Sequence, residues 1–372
     1  MTRSLRGTLN DLAQSFAASV LDVVKSASLG ELTDLTGEPE RRREPVPRPI
    51  RIGSLRRSSL EAFGALRVTV DGRSLLKREK KDLPSPRYKT DLGAAYVGDA
   101  SRLIKRVPDH SVNAIVTSPP YALTRKKSYG NPSQEEYVEW FLGFAPEFRR
   151  VLKPSGSLVI EIGGAWNRGS PTRSVYHFDL LVRLVKDAGF HLAQEFFWFN
   201  KARLPSPAAW VTVKRIRVKD AVTPIWWLSK SKKPRADNRR VLRPYGEDMQ
   251  RLFKVGYNRG RRPSGHVIRE GFTKDNGGSI PPNLIEVAHT SSRGRYLEYC
   301  EQRGYDPHPA RFPEDVPEFF IKFLTKKGDL VLDPFAGSNT TGAVAERLGR
   351  RWTSFELDRS YVDASRGRFL KS

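Results

Sequence analysis

The stretch from Asp329 to Glu356 limits the fold more than any other part of this chain. Asp329-Leu330-Val331-Leu332-Asp333 is a short apolar run, Pro334 to Asn339 is a turn of mostly small residues, and Thr340-Thr341-Gly342 opens a helical pattern with hydroxyl caps. A further strand pattern from Trp352 ends at Glu356, nineteen residues past Gly337. Strand, tight turn, helix and strand in that order make a βαβ unit of a parallel sheet. Backbone N–H groups in such a turn approach a ligand closely at the end of the sheet. A carboxylate at the end of the following strand can accept from both hydroxyls of a ribose.

An ordinary βαβ connection also needs glycine for its geometry, and the turn alone would favour that reading. Turn, strand and acid together favour a nucleoside cofactor. Asn339 stands where a dinucleotide fingerprint has its second glycine, and asparagine tolerates positive φ better than most residues. Nothing in the turn needs to embrace a pyrophosphate, so NAD and ATP fit poorly. A nucleoside without phosphates, such as S-adenosylmethionine, fits the pattern.

From about residue 84 the chain alternates short apolar runs with amphipathic stretches, the texture of an α/β domain. Strands are expected near 94–97, 112–117, 157–162, 192–199, 222–228, 329–333 and 352–356, and helices over 133–152, 176–188, 313–325, 339–348 and 358–370. Ser133 with Glu136 carries a capping-box signature, and Lys153-Pro154-Ser155-Gly156 reads as a helix stop. Residues 230–300 lack this rhythm and are expected to form a loop-rich insertion outside the sheet. Residues 1–83 begin with one helical pattern, Leu9, Leu12, Phe16, Val20, Val23 and Val24, followed by a Pro- and Arg-rich arm read as linker or disordered. The expected organisation is an arm at 1–83, one half of the core at 84–229, the insertion at 230–300 and the other half at 301–372.

Lys and Arg outnumber Asp and Glu by 65 to 41, and 19 of these cations against 5 acids fall between residues 201 and 270. Trp210, Trp226, Trp227, Tyr245, Phe253 and Tyr257 are interleaved with them. So local a surplus favours a nucleic-acid partner over mere solubility. Cys300 is the single cysteine and the six histidines show no ligand spacing, so neither a disulfide nor a metal site is expected. No run approaches the roughly 18 apolar residues of a membrane span, and a soluble, unsecreted protein is expected.

The second chemical signal is Ser118-Pro119-Pro120-Tyr121, directly after the apolar run Val112 to Val116. Pro120 restricts Pro119, Pro119 restricts Ser118, and neither proline has an N–H, so the backbone is stiff and extended. Carbonyls in such a loop can point at a ligand instead of into a ladder. Alone, the tetrapeptide reads as a rigid turn with Tyr121 packed into the core.

Together, TSPPY at 117–121, DPFAGSNTTG at 333–342 and FELD at 355–358 resemble the amino-methyltransferases that act on DNA, with the catalytic motif ahead of the cofactor motif. The likeness is strongest to the site-specific cytosine-N4 enzymes of restriction-modification systems. It runs from about 90 to 370 and includes Gly98-Asp99, the segment Leu204 to Ser231, NGGSIPPN and HPARFPEDVPEFFIKFLT. It implies the Rossmann-like fold of S-adenosylmethionine-dependent methyltransferases, in the circularly permuted β arrangement: a seven-stranded, mostly parallel sheet with one antiparallel strand, flanked by helices.

By that resemblance Asp333, Pro334, Phe335, Gly337, Asn339 and Thr340 hold the methionine side of S-adenosylmethionine, Glu356 the ribose and Asp99 the adenine amino group. The segment from His308 to Pro313, with Pro309, Phe312 and Pro313, closes over the methionine portion, and the loops of 230–300 supply target recognition. Ser118 Oγ and the Pro119 carbonyl are expected to accept the two amino hydrogens of an extruded base, with Pro120 stiffening the loop and Tyr121 stacking on the ring. Phosphate contacts are expected from Arg125, Lys126, Lys127, Lys214, Arg215, Arg217, Lys232, Lys233, Arg239, Arg240, Arg261 and Arg262. The partner implied is double-stranded DNA, with a cognate restriction endonuclease at the genomic level and a cytoplasmic, nucleoid-associated location.

Methylation at cytosine C5 needs a cysteine nucleophile, and Cys300 in Glu298-Tyr299-Cys300-Glu301 has no proline before it. Adenine N6 offers the same two hydrogens to the same loop, and only the resemblance separates it from cytosine N4. A DNA-binding protein on an inactive scaffold would carry damaged motifs, whereas both stand largely intact. The large basic region argues against small or protein amide substrates, and composition does not distinguish DNA from RNA. Trp198, Trp226 and Trp227 could line a base pocket, but bulky aromatics on strands are more often core.

Overall fold

The computed structural model describes residues 82–122, 132–256, 260–261, 263–265, 267–268, 274–288, 294–311 and 313–370. The expected N-terminal helix and arm lie outside the described residues, as do Arg125, Lys126, Lys127, Arg262 and Phe312.

Eleven strands are described: β1 Tyr88–Lys89, β2 Gly93–Val97, β3 Val112–Thr117, β4 Leu152–Glu161, β5 His191–Phe199, β6 Val222–Ser229, β7 Gly260–Arg261, β8 Val267–Ile268, β9 Leu284–Glu286, β10 Leu330–Asp333 and β11 Arg351–Glu356. Nine form one sheet in the order β1-β2-β11-β10-β3-β4-β6-β5-β9, and β7 with β8 is a separate hairpin. Neighbours from β2 to β4 are all parallel, β6 runs against both β4 and β5, and β9 is parallel to β5. The seven strands β2 to β5 in that order match the expected sheet with its single reversed strand. The other two are short edges, β1 folded back on β2 and β9 beside β5.

The β9 edge corrects the expectation that 230–300 stays outside the sheet. Phe197, Trp198 and Phe199 pair with Leu284, Ile285 and Glu286, which covers an edge that would otherwise expose unpaired backbone groups. Only Ile285 of the three is buried, so a strand this short behind Pro281-Pro282 leaves almost no periodicity to read.

The central strands are buried on both faces, as parallel sheets require: all six residues of β3 are buried. Ile115 and Trp226 face a core with Phe141 and Phe148, while Ala114, Val116 and Trp227 face one with Phe320, Val331 and Trp352. The two adjacent tryptophans therefore point to opposite layers. The helix expected over 133–152 is two, Gln134–Leu142 and Ala145–Val151, joined at Gly143-Phe144. Its capping box is present, with Glu136 N–H donating to Ser133 Oγ at 3.2 Å. Lys153-Pro154-Ser155-Gly156 lies inside β4 as an irregularity between the Val112 and Ala114 pairings.

Candidate active site

Parallel strands deliver their carboxyl ends to one edge of the sheet, and ligands of open α/β sheets bind there. A cavity of about 660 Å³ opens at that edge, between the ends of β2, β3, β4, β10 and β11. Ser118, Pro119, Pro120 and Tyr121 line it from β3, and Pro334, Phe335, Gly337 and Thr340 from the turn after β10. Glu356 and Asp99 complete its wall from β11 and β2.

The two motifs are tied to each other. Thr117 Oγ1 donates to Asp333 Oδ1 at 2.7 Å, and the Phe335 N–H donates to the same oxygen at 3.1 Å. Burial pushes the Asp333 carboxyl up to about 6, against the pull of these hydrogen bonds. Asp333 is thus a clamp beneath the turn and does not line the cavity. Asn339 is also internal: it adopts φ 56° and its amide donates to Tyr88 Oη at 2.9 Å. Asparagine takes the left-handed conformation here, as its tolerance of positive φ anticipates. The turn itself is tight, because Gly337 has φ 49° and an added Cβ would sit 3.0 Å from the His308 ring.

Glu356 accepts from the Gly337 N–H at 2.8 Å through one oxygen and from the Asp358 N–H at 2.9 Å through the other. Each carboxylate oxygen has a second lone pair, so the group can still receive a diol. Burial raises its proton affinity and the backbone donors oppose that rise. Asp99 caps the helix Ala100–Leu103 by accepting from Ser101 N–H at 2.7 Å. Phe335 is fixed edge-on to Phe144 at 5.2 Å and tilted against Trp140 at 5.6 Å. Of the segment expected to close the site, Pro309 is exposed and Pro313 buried, and it is His308, Ala310 and Arg311 that face the cavity.

Beside Ser118 the structure supplies a cavity residue that the sequence reading missed. Glu161, the last residue of β4, is 3% exposed and reaches the cavity. Ser118 Oγ donates to its Oε2 at 2.6 Å, and Tyr121 Oη donates to its Oε1. Desolvation raises the Glu161 carboxyl and these two donors lower it. Burial and Glu161 both push the Tyr121 phenol up, so it stays protonated as a donor. The Tyr121 ring sits against backbone at Gly163, where a Cβ would come within 2.6 Å. A buried acid ending a strand was the available signal, but Glu161 in Leu158-Val159-Ile160-Glu161 carries no motif of its own.

The chain therefore holds the turn after β10 and the Ser118–Tyr121 loop around one cavity. The N6/N4 DNA methylase family model matches residues 112–366, which contain both. The chain belongs to the DNA methylase family. Type II methyltransferase M.PvuII of Proteus hauseri is 50% identical over 305 residues, covering 81% of this chain and 90% of that one. M.BglII of Bacillus subtilis is 27% identical over 286 residues, covering 76% and 70%. Among solved structures, PvuII DNA methyltransferase (cytosine-N4-specific) superposes with a TM-score of 0.64 at 45% identity, over 77% of this chain and 89% of that one.

For a DNA methylase the placement of its cations matters. Because β6 is antiparallel to β4, residues after Ser229 emerge at the amino end of the parallel strands, away from the cavity. Lys232 and Lys233 are exposed there, Arg239 and Arg240 pair with Asp237 at 2.8 and 3.3 Å, and Arg240 also donates to the Thr325 carbonyl. Arg217 is turned inward, 3.9 Å over the Trp166 ring and bonded to the Pro171 carbonyl. None of these five lines the cavity. Lys214 and Arg215 are exposed at the cavity end, and Arg261 lies in β7. Among the described residues no cluster fit to hold a metal occurs, and no helix is long and apolar enough to cross a membrane.

Proposed function

We propose that this DNA methylase transfers a methyl group from S-adenosylmethionine to the exocyclic N4 of a cytosine extruded from duplex DNA. The observation that carries the reading is the Ser118–Glu161 hydrogen bond beside the cofactor turn. Half of the aligned residues are shared with M.PvuII, and the matching solved structure is described as cytosine-N4-specific, which favours N4 over adenine N6.

The cavity residues fit the cofactor. Glu356 would take the ribose diol, Asp99 would accept from the adenine amino group, and Phe335, Gly337 and Thr340 would cradle the methionine portion. When bound, S-adenosylmethionine supplies an electrophilic methyl carbon on a positively charged sulfur.

The protein's task is to turn a weak nucleophile toward that carbon. The cytosine amino lone pair is delocalised into the ring, and acceptors around its two hydrogens favour pyramidalisation. With its own hydrogen donated to Glu161, Ser118 Oγ serves as one acceptor, and the Pro119 carbonyl as the other. Tyr121, anchored through its hydroxyl, presents its ring to the base. After attack the amino nitrogen carries a positive charge and loses a proton to Ser118 Oγ as Ser118 passes its own to Glu161. A buried carboxylate of raised proton affinity suits that last position. Positioning and electrostatics account for the rate, with no covalent enzyme intermediate.

The biological setting is protection of host DNA beside a cognate restriction endonuclease, at the nucleoid in the cytoplasm. Incubation with duplex DNA and labelled S-adenosylmethionine, followed by digestion to nucleosides and mass spectrometry, tests the reaction. N4-methylcytosine is expected, and N6-methyladenine would overturn the base assignment.

A further inference from the structure

The excursion between the last residue of β5, Phe199, and the first of β6, Val222, exposes aliphatic side chains. One of its cations, Arg217, lies inside, over Trp166 and near Asp220, while Leu204, Val213, Ile216 and Val218 are 79, 76, 59 and 84% exposed. The loop is anchored at both ends in the cavity wall, where Asn200, Arg203 and Thr223 line the space and Arg203 donates to Thr223 Oγ1 at 3.2 Å. It is also shaped: Ala209–Val213 is a π-helical turn, Arg215 adopts φ 53°, and Arg173 holds Asp220 at 3.0 Å. Lys214 and Arg215 are exposed between the aliphatic residues.

We propose that this loop enters the duplex at the target site, its aliphatic tip occupying the stack vacated by the extruded cytosine while Lys214 and Arg215 hold the flanking phosphates. The proposal rests on the reading of the protein as a cytosine methyltransferase acting on duplex DNA. Aliphatic side chains inserted between base steps offset part of the lost stacking. The mouth of the cavity is where that vacancy forms, and exposed cations among the aliphatic residues suit a polyanion.

The test uses the full chain with Leu204→Ser, Val213→Ser, Ile216→Ser and Val218→Ser combined, which removes only exposed side chains. Methylated cytosines are first mapped with the wild-type protein, and kcat/KM is then measured on that site as a paired duplex and as a duplex whose target cytosine faces an abasic position. A loss of about tenfold or more is expected on the paired duplex, with recovery to within about threefold of wild type on the pre-opened one. Equal losses on both substrates overturn the wedge and leave the reaction standing. Unchanged turnover on the paired duplex also overturns it, including when sedimentation shows that the variant no longer associates with a second copy of the chain. A wild-type protein that labels no cytosine overturns the reaction itself and the wedge with it.

Discussion

A charge cluster at the amino end of the sheet and the polar residues lining the cavity at its carboxyl end are held in different ways. At the amino end the charges of Arg235, Arg239 and Arg240 are matched by Asp329 and Asp237, and Asp237 is held down to about 2 by Arg239. At the carboxyl end Ser118, Glu161, Glu356 and Asp99 are each fixed by a hydrogen bond but keep capacity for more. Matched groups stabilise or solubilise, whereas pre-oriented groups with remaining valence bind and react. Residue type alone does not distinguish the two. The polarity of the strands decides which end a loop reaches.

The largest effect should come from the acceptor loop. Ser118→Ala is expected to lower kcat by about 10²- to 10⁴-fold in single-turnover assays while the calorimetric Kd for S-adenosylmethionine stays unchanged. Glu161→Gln should follow it and also flatten the acid limb of the pH–rate profile. The sign is fixed by the raised carboxyl: the acceptor form is lost as pH falls, at a higher pH than for an ordinary carboxylate. A full acid limb in the Gln variant would remove Glu161 from the proton path.

Glu356→Ala should weaken cofactor binding by about tenfold to a hundredfold, since hydrogen bonds to a charged acceptor are each worth about 1.5–3 kcal/mol. A normal Kd would break its ribose role. The comparison of ends is tested most directly with paired substitutions in cations. Lys214→Ala with Arg215→Ala should reduce the salt dependence of DNA affinity by about 0.9 for each phosphate no longer neutralised, and Lys232→Ala with Lys233→Ala should leave it unaltered. Equal effects would erase the distinction between the ends.

Asp333→Asn gives the smallest expected change, in stability. The folded carboxyl titrates at about 6 against 3.8 for an ordinary aspartate, so the folded state holds the proton more tightly. Its stabilising share is full below about 4 and is lost as pH rises to about 6. Across that window the wild-type Tm should fall relative to that of the Asn variant, and parallel Tm curves would contradict the buried clamp.

Much of this was legible because it is local. Buried strands such as Val112–Thr117 and Leu330–Asp333 announce themselves as apolar runs, and Gly337 with Asn339 marks a turn that needs positive φ. Pro119 and Pro120 stiffen their loop whatever surrounds it. Glu161 was not legible, because its role comes from its hydrogen bond with Ser118 across 43 positions of sequence. Nor were the internal hydrogen bonds of Asp333 and Asn339, since their partners Thr117 and Tyr88 belong to distant strands.

The sequence by itself determined the α/β class, the two motifs and the kinship with amino-methyltransferases, because apolar periodicity, proline and glycine act through the nearest residues. Tertiary structure alone decided that both motifs face one cavity, that Glu161 stands behind Ser118, and that the basic run after Ser229 points away from it. Those outcomes depend on strand order and direction, which are set by long-range pairing and burial and leave no mark on any short stretch of chain.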